Sequence, residues 1–212
     1  MTAIPRSEEQ QRLVREGYNL IATAYHARRA ARELANIEWL EEKWHLLPAS
    51  GRVIDLGCGS GVPITRFFAQ RGYEVTGYDV SDSMLELACR EVPNATFIRC
   101  AMEGVKLPHS SVDLVVSFFA IIHVDRTHHA ELFRNMHAWL EPGGKVLLSL
   151  GRSDSEYWHE QDWHGAPMSW SHFDAETNLS LLRQAGFEIL WSAIEETGPQ
   201  ESHLFVVGAK SD

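Results

Sequence analysis

Residues 53–61, Val-Ile-Asp-Leu-Gly-Cys-Gly-Ser-Gly, carry the spacing in this chain that says most about chemistry. An apolar, β-rich run ends in a carboxylate, Asp55, and Gly57, Gly59 and Gly61 follow at alternate positions. Glycine reaches backbone torsions closed to other residues and leaves bare backbone against which a ligand can lie. The next helix, expected from Ile64, turns its free N–H groups toward the same space. Such an arrangement makes a site for a nucleotide-type cofactor at the C-terminal edge of a parallel sheet. A turn that merely uses glycine is the plainer alternative.

The spacing separates cofactors. A dinucleotide loop needs Gly-x-Gly-x-x-Gly to seat a pyrophosphate; here the third glycine comes one residue early and Val62 holds the sixth position. No Gly-Lys-Ser/Thr follows, which excludes a P-loop. A second carboxylate, Asp79, closes the run 73–79. Placed at the end of a second strand, it can accept both hydroxyls of a ribose through charge-assisted hydrogen bonds, and it would repel the 2′-phosphate of NADP. NAD-binding folds use the same position, so Asp79 does not choose alone. Its other reading is an N-cap for a helix beginning near Ser81.

The elements that must position these groups follow from hydrophobic period. Ser7 and Gln10 fit a capping box that opens a first helix. A second helix carries Leu34, Ile37, Leu40, Trp44 and Leu47 at helical spacing and stops at Pro48. From Arg52 onward strands alternate with helices: strands at about 52–56, 73–79, 95–100, 112–118 and 145–150, helices from near Ile64, Asp82 and Thr127. This predicts an α/β fold with a parallel sheet covered on both faces. Segments 187–194 and 203–210 read as a terminal hairpin, which adds one antiparallel strand.

The pattern Asp-x-Gly-x-Gly-x-Gly resembles motif I of the class I S-adenosylmethionine (SAM) dependent methyltransferases, most closely their type 11 and 25 small-molecule groups. The likeness spans about residues 15–210. Asn19-Leu20-Ile21-Ala22 with Tyr25 is similar to the segment before motif I. Val112–Ser117 matches the fourth strand, and Leu140-Glu141-Pro142-Gly143-Gly144 the turn before the fifth. The resemblance implies a Rossmann-like, mostly parallel seven-stranded sheet with one antiparallel strand, SAM as cofactor and S-adenosylhomocysteine as product. It also implies cofactor contacts at Asp55, Gly57, Gly59, Asp79, Val80, Met84 and Phe118. After strand three many relatives place an Asp, where this chain reads Cys100-Ala101-Met102-Glu103. Ala101 and Met102 are then expected beside the adenine, with Glu103 taking over its amino group. Tyr18 and Tyr25 lie seven residues apart, two helical turns, so one face of the first helix can present both rings to the cofactor. Arg28 and Arg29 at its end can meet the methionyl carboxylate. An ordinary amphipathic helix packed on the sheet is the alternative.

The 212 residues suit one domain: a helical cap over 1–48, the sheet, and an insertion at 151–173. A net charge of −10 argues against nucleic acid. Cys58, Cys89 and Cys100 lack metal-ligand spacing. No signal-like or membrane-length apolar run stands out, so a cytoplasmic monomer or homodimer is expected.

The acceptor must be read from the remaining side chains. Ser117-Phe118-Phe119-Ala120 lacks the Asn/Asp-Pro-Pro-Tyr/Phe of nucleic-acid amine methyltransferases and the Asp of magnesium-dependent catechol enzymes. A metal-independent small-molecule acceptor, methylated at O or N, or at S, is expected. Segment 151–173 is long for a connection and dense in rings. It suggests a lid, with Trp163, His164, Met168, Trp170 and His172 around the acceptor. Rings that only cover the sheet end would give the same composition, and a histidine metal site fits the spacing poorly. His123, just past strand four, is the candidate general base, since imidazole titrates near neutrality; a structural hydrogen bond is its other role. His128 and His129 are expected in solvent. A non-catalytic SAM-binding protein and an NAD-dependent oxidoreductase remain as alternatives.

Overall fold

The computed structural model describes residues 6–30, 33–198 and 201–211. Helices α1 (Arg6–Ala30) and α2 (Glu33–Lys43) precede the alternating part. That part runs β1 (Arg52–Leu56), α3 (Ile64–Gln70), β2 (Glu74–Asp79), α4 (Asp82–Glu91), β3 (Thr96–Arg99), β4 (Val112–Ser117), α5 (His129–Trp139) and β5 (Leu140–Leu150). Then come β6 (Ser155–Trp163), β7 (Ala166–His172), α6 (Ala175–Gln184), β8 (Phe187–Gly198) and β9 (Glu201–Lys210).

Seven strands form one sheet in the order β3-β2-β1-β4-β5-β9-β8, and only β9 runs antiparallel to its neighbours. Strands β1, β4 and β5 are buried on both faces, as parallel strands between helices must be. Leu132, Phe133 and Met136 of α5 fill one side with Leu182 of α6. Leu40 of α2 with Phe67 and Phe68 of α3 fill the other. The winding reverses between β1 and β4. In open α/β sheets that switch point, at the C-terminal ends of the strands, is where ligands bind.

Two local expectations need correction. Ser7 and Gln10 make no capping box: α1 already begins at Arg6, and the Gln10 amide donates to the His123 carbonyl (2.9 Å). Segment 151–173 folds as the β6–β7 hairpin, outside the main sheet. Its β7 packs on α1, where Met168 and Trp170 are buried with Val14 and Ile122. No described helix is long and apolar enough to cross a membrane.

Candidate active site

Helix α1 closes over the switch point because three interactions hold it there. Arg6 Nε donates to Asp125 beyond β4 (2.9 Å). Asn19 Oδ1 accepts from Ser81 Oγ (2.7 Å) and Ser83 N (3.2 Å) at the start of α4. Ala22 packs on Met84 and Leu87. Between α1 and the strand ends lies a cavity lined by Tyr18, Tyr25, Arg29, Asp55, Gly57, Gly59, Asp79, Val80, Met84, Met102, Glu103, Phe118, Phe119 and His123, among others.

The glycine loop is built for close approach. Gly57 has φ +73°, and a Cβ there would collide with that of Ala120. Gly59 has φ +54° and nothing within 4 Å of a Cβ position, so its bare backbone faces open space. Asp79 fixes this loop: one carboxylate oxygen accepts from Gly59 N (2.8 Å), the other from Ser81 N (2.9 Å). Each oxygen keeps a lone pair for a ligand hydroxyl. Burial raises the Asp79 pKa against these hydrogen bonds. The N-cap of α4 is Ser81, whose Oγ accepts from Met84 N, which leaves Asp79 to the loop and the cavity.

Asp55 is buried and accepts from Thr65 Oγ1 (2.6 Å). Burial, opposed by that bond and reinforced by Asp79, lifts its pKa from 3.8 to about 7. A carboxyl raised in the folded state contributes stability below its unfolded pKa and loses it as pH rises through about 7. Asp55→Asn is therefore expected to stabilise the fold increasingly from about pH 4 upward, the range over which the wild-type carboxyl ionises in the unfolded but not the folded chain. At pH 8 it should gain about 1–3 kcal/mol, measured by urea unfolding.

At the other end of the cavity, Tyr18 and His123 form a pair. His123 Nδ1 lies 2.8 Å from the Ser169 carbonyl, which only accepts, so Nδ1 carries the proton. The free Nε2 then accepts from the Tyr18 hydroxyl at 3.0 Å. Burial lowers His123 to about 4, despite the carbonyl, while burial and then Tyr25 push the Tyr18 phenol well above 10. Both are neutral near pH 7. The expectation of an imidazole titrating near neutrality is corrected accordingly.

Other site expectations divide. Tyr18, Tyr25, Asp55, Gly57, Gly59, Asp79, Val80, Met84, Met102, Glu103, Phe118 and His123 all meet at the cavity. Ala101 does not line it; it caps the short turn that carries Met102 and Glu103. Arg28 points away and pairs with His164 on the β6–β7 turn, while Arg29 lines the cavity. Tyr18, Tyr25 and Arg29 stand at i, i+7 and i+11, one helical face, a spacing that could have selected Arg29. No described residue of the hairpin lines the cavity. Met168 and Trp170 are core; Trp163 meets Tyr18 (5.9 Å) and Tyr25 (5.7 Å) from behind, and His172 bonds the Ser153 carbonyl (2.7 Å). The hairpin backs the wall that α1 forms and does not itself make the wall. His129 is buried between Phe133 and Phe173, not in solvent. Among the described residues no group of three or more His, Cys, Asp or Glu side chains is placed to hold a metal ion.

A seven-stranded sheet of this order, with a glycine loop after β1 and a carboxylate closing β2, defines a Rossmann-like enzyme that binds a nucleoside cofactor without a pyrophosphate cradle. Residues 53–144 match the family model of the methyltransferase domain. An uncharacterized methyltransferase of Synechocystis sp. is 30% identical over 166 residues, covering 71% of this chain and 76% of the relative. Malonyl-[acyl-carrier protein] O-methyltransferase of Enterobacter lignolyticus is 33% identical over 119 residues, 55% of this chain and 46% of that one. Among solved structures, the complex of DhpI with S-adenosylhomocysteine superposes with a TM-score of 0.76 at 20% identity, over 97% of this chain and 98% of the other. The chain belongs to the class I SAM-dependent methyltransferases, and SAM is its cofactor. The NAD-dependent and non-catalytic readings give way to that membership.

Proposed function

We propose that this enzyme transfers the methyl group of SAM to an oxygen or nitrogen of a small-molecule acceptor in the cytoplasm, with Tyr18 and His123 receiving the proton the acceptor sheds. The observation that carries this reading is the Tyr18–His123 hydrogen bond at the cavity wall (3.0 Å). In support, the malonyl-[acyl-carrier protein] relative is named for methylation at oxygen.

The residues present fit the cofactor. Gly57 and Gly59 leave room for it, Asp79 would offer lone pairs to the ribose hydroxyls, and Met102 and Glu103 would hold the adenine. Of the two arginines the sequence offered for the methionyl carboxylate, Arg29 lines the cavity and would hold it. When bound, SAM supplies an electrophilic methyl group on a sulfonium and leaves as the neutral thioether. The rest falls to the chain. Alignment and exclusion of water supply most of the acceleration of such a displacement. Helix α1 and the rings of Tyr18, Tyr25 and Phe118 enclose the cavity, and aromatic faces also attract a cationic centre by about 0.5–2 kcal/mol.

The acceptor's O–H or N–H bond breaks as its new bond to carbon forms. Its proton passes to Tyr18 Oη, and the Tyr18 proton passes to His123 Nε2. The Ser169 carbonyl holds the imidazolium through Nδ1–H. Burial lowers His123 to about 4 and so keeps the imidazole neutral and able to accept, and loss of the positive charge that SAM would carry would favour the proton's arrival. Turnover of labelled SAM against a panel of phenols, amines, thiols and carboxylates tests the proposal. Methylation of none of them, with SAM bound, would refute the small-molecule assignment.

A further inference from the structure

Phe119 follows β4 with φ +58°, a left-handed conformation that costs a bulky residue energy and that clusters at functional sites. Ser149 of β5 is fully buried, and its Oγ accepts from Phe119 N at 2.6 Å, which holds that conformation in place. His203 and Phe205 of β9 meet the Phe119 ring in edge-to-face contacts at 5.0 and 6.0 Å. The same ring lines the cavity. Arg29 reaches it from the last turn of α1, with Cζ 4.4 Å from the centroid. Among the described residues lining the cavity, Arg29 is the one lysine or arginine, against the carboxylates Asp55, Asp79, Glu103 and Asp125. It forms no ion pair with a described carboxylate.

A ring face attracts a guanidinium without accepting its N–H groups as a carboxylate partner would. The donors of Arg29 therefore stay available to an anion in the cavity, and their planar fork matches a carboxylate with two parallel hydrogen bonds. An arginine side chain also has much rotamer freedom to lose on binding, and one held in place beforehand loses less. The strained backbone at Phe119 thus sets an aromatic face against the charge that must meet the one carboxylate of the cofactor. Resting on the placement of the methionyl carboxylate at Arg29, we infer that Phe119 is a positioning residue for Arg29, and that the pair makes the enzyme select SAM over nucleosides lacking that carboxylate.

Calorimetry with two ligands provides the test: S-adenosylhomocysteine, and S-adenosyl-3-thiopropylamine, which keeps the nucleoside, thioether and amine and lacks only the carboxylate. The unaltered enzyme should bind the first about tenfold or more tightly than the second, the equivalent of one charge-assisted hydrogen bond. Phe119→Leu keeps an apolar side chain and removes the π face. It should cut that preference about three- to tenfold and leave affinity for the decarboxylated ligand within about twofold of the unaltered value. Phe119→Tyr keeps the face and should retain the preference within about twofold. If circular dichroism shows that Phe119→Leu does not fold, Phe119→Met makes the same comparison. An unaltered preference in the Phe119→Leu or Phe119→Met enzyme overturns the inference. An equal loss of affinity for both ligands overturns it too, because a ring that only packs the site would produce that result. Arg29→Gln separates the inference from its premise, and should bring the two affinities within about twofold of each other. A preference that survives Arg29→Gln removes the methionyl carboxylate from Arg29, and the role of Phe119 with it. A preference abolished by Arg29→Gln and untouched by Phe119→Leu removes Phe119 alone.

Discussion

Tyr18→Phe is expected to lower kcat/KM for the acceptor identified in the panel by about 10²–10⁴, the range that loss of a positioned proton acceptor produces. The substitution removes one oxygen. The ring stays packed against Tyr25 and Trp163, so α1 keeps its place and SAM affinity should hold within about threefold. His123→Ala should cost a similar factor, and the double variant should lose little more than either alone, because the two act as one unit. The pH profile distinguishes this relay from an independent imidazole base. A base must be unprotonated, so activity should fall as pH drops through about 4, with a plateau across the ordinary histidine range near 6.5. Full turnover by Tyr18→Phe, or a rate that declines below pH 6.5 with His123 as the titrating group, would remove the relay.

Asp79→Ala is expected to weaken SAM binding by about 2–4 kcal/mol, some 30- to 1000-fold in Kd, measured by calorimetry. Two effects add. A ribose loses a charged acceptor, and the amides of Gly59 and Ser81 lose the carboxylate that holds the glycine loop open. Asp79→Asn separates them, because its carbonyl oxygen can still hold one loop amide while the charge is gone; its affinity should fall between wild type and Asp79→Ala. The fold should survive both changes, since the residue ends β2 and the core beneath it consists of Val75 and Tyr78. Unchanged affinity in a folded Asp79→Ala protein would take the carboxylate out of the cofactor site.

The sequence by itself determined what depends on contiguous residues. The glycine loop, Asp55 and Asp79 sit in single strand–turn segments whose geometry follows from local sterics. The alternation of apolar runs set the parallel sheet and its one antiparallel strand. Tyr18 and Tyr25 share a face because the helix repeat is a local property. Only the tertiary structure decided what depends on segments meeting at a distance. It selected Arg29 over its neighbour Arg28, because helical rotation matters only once one face of α1 is docked. It turned the aromatic insertion into a hairpin whose Met168 and Trp170 support α1 from behind, since composition cannot tell a ring that meets a ligand from one that fills a core. It buried His129, which a pattern of polar residues at a helix start gives no means to foresee. Above all it joined Tyr18, His123 and the Ser169 carbonyl, three groups far apart in the chain, into one hydrogen-bonded line. The protonation states of the pair follow from that burial and that line, and no local pattern carries them.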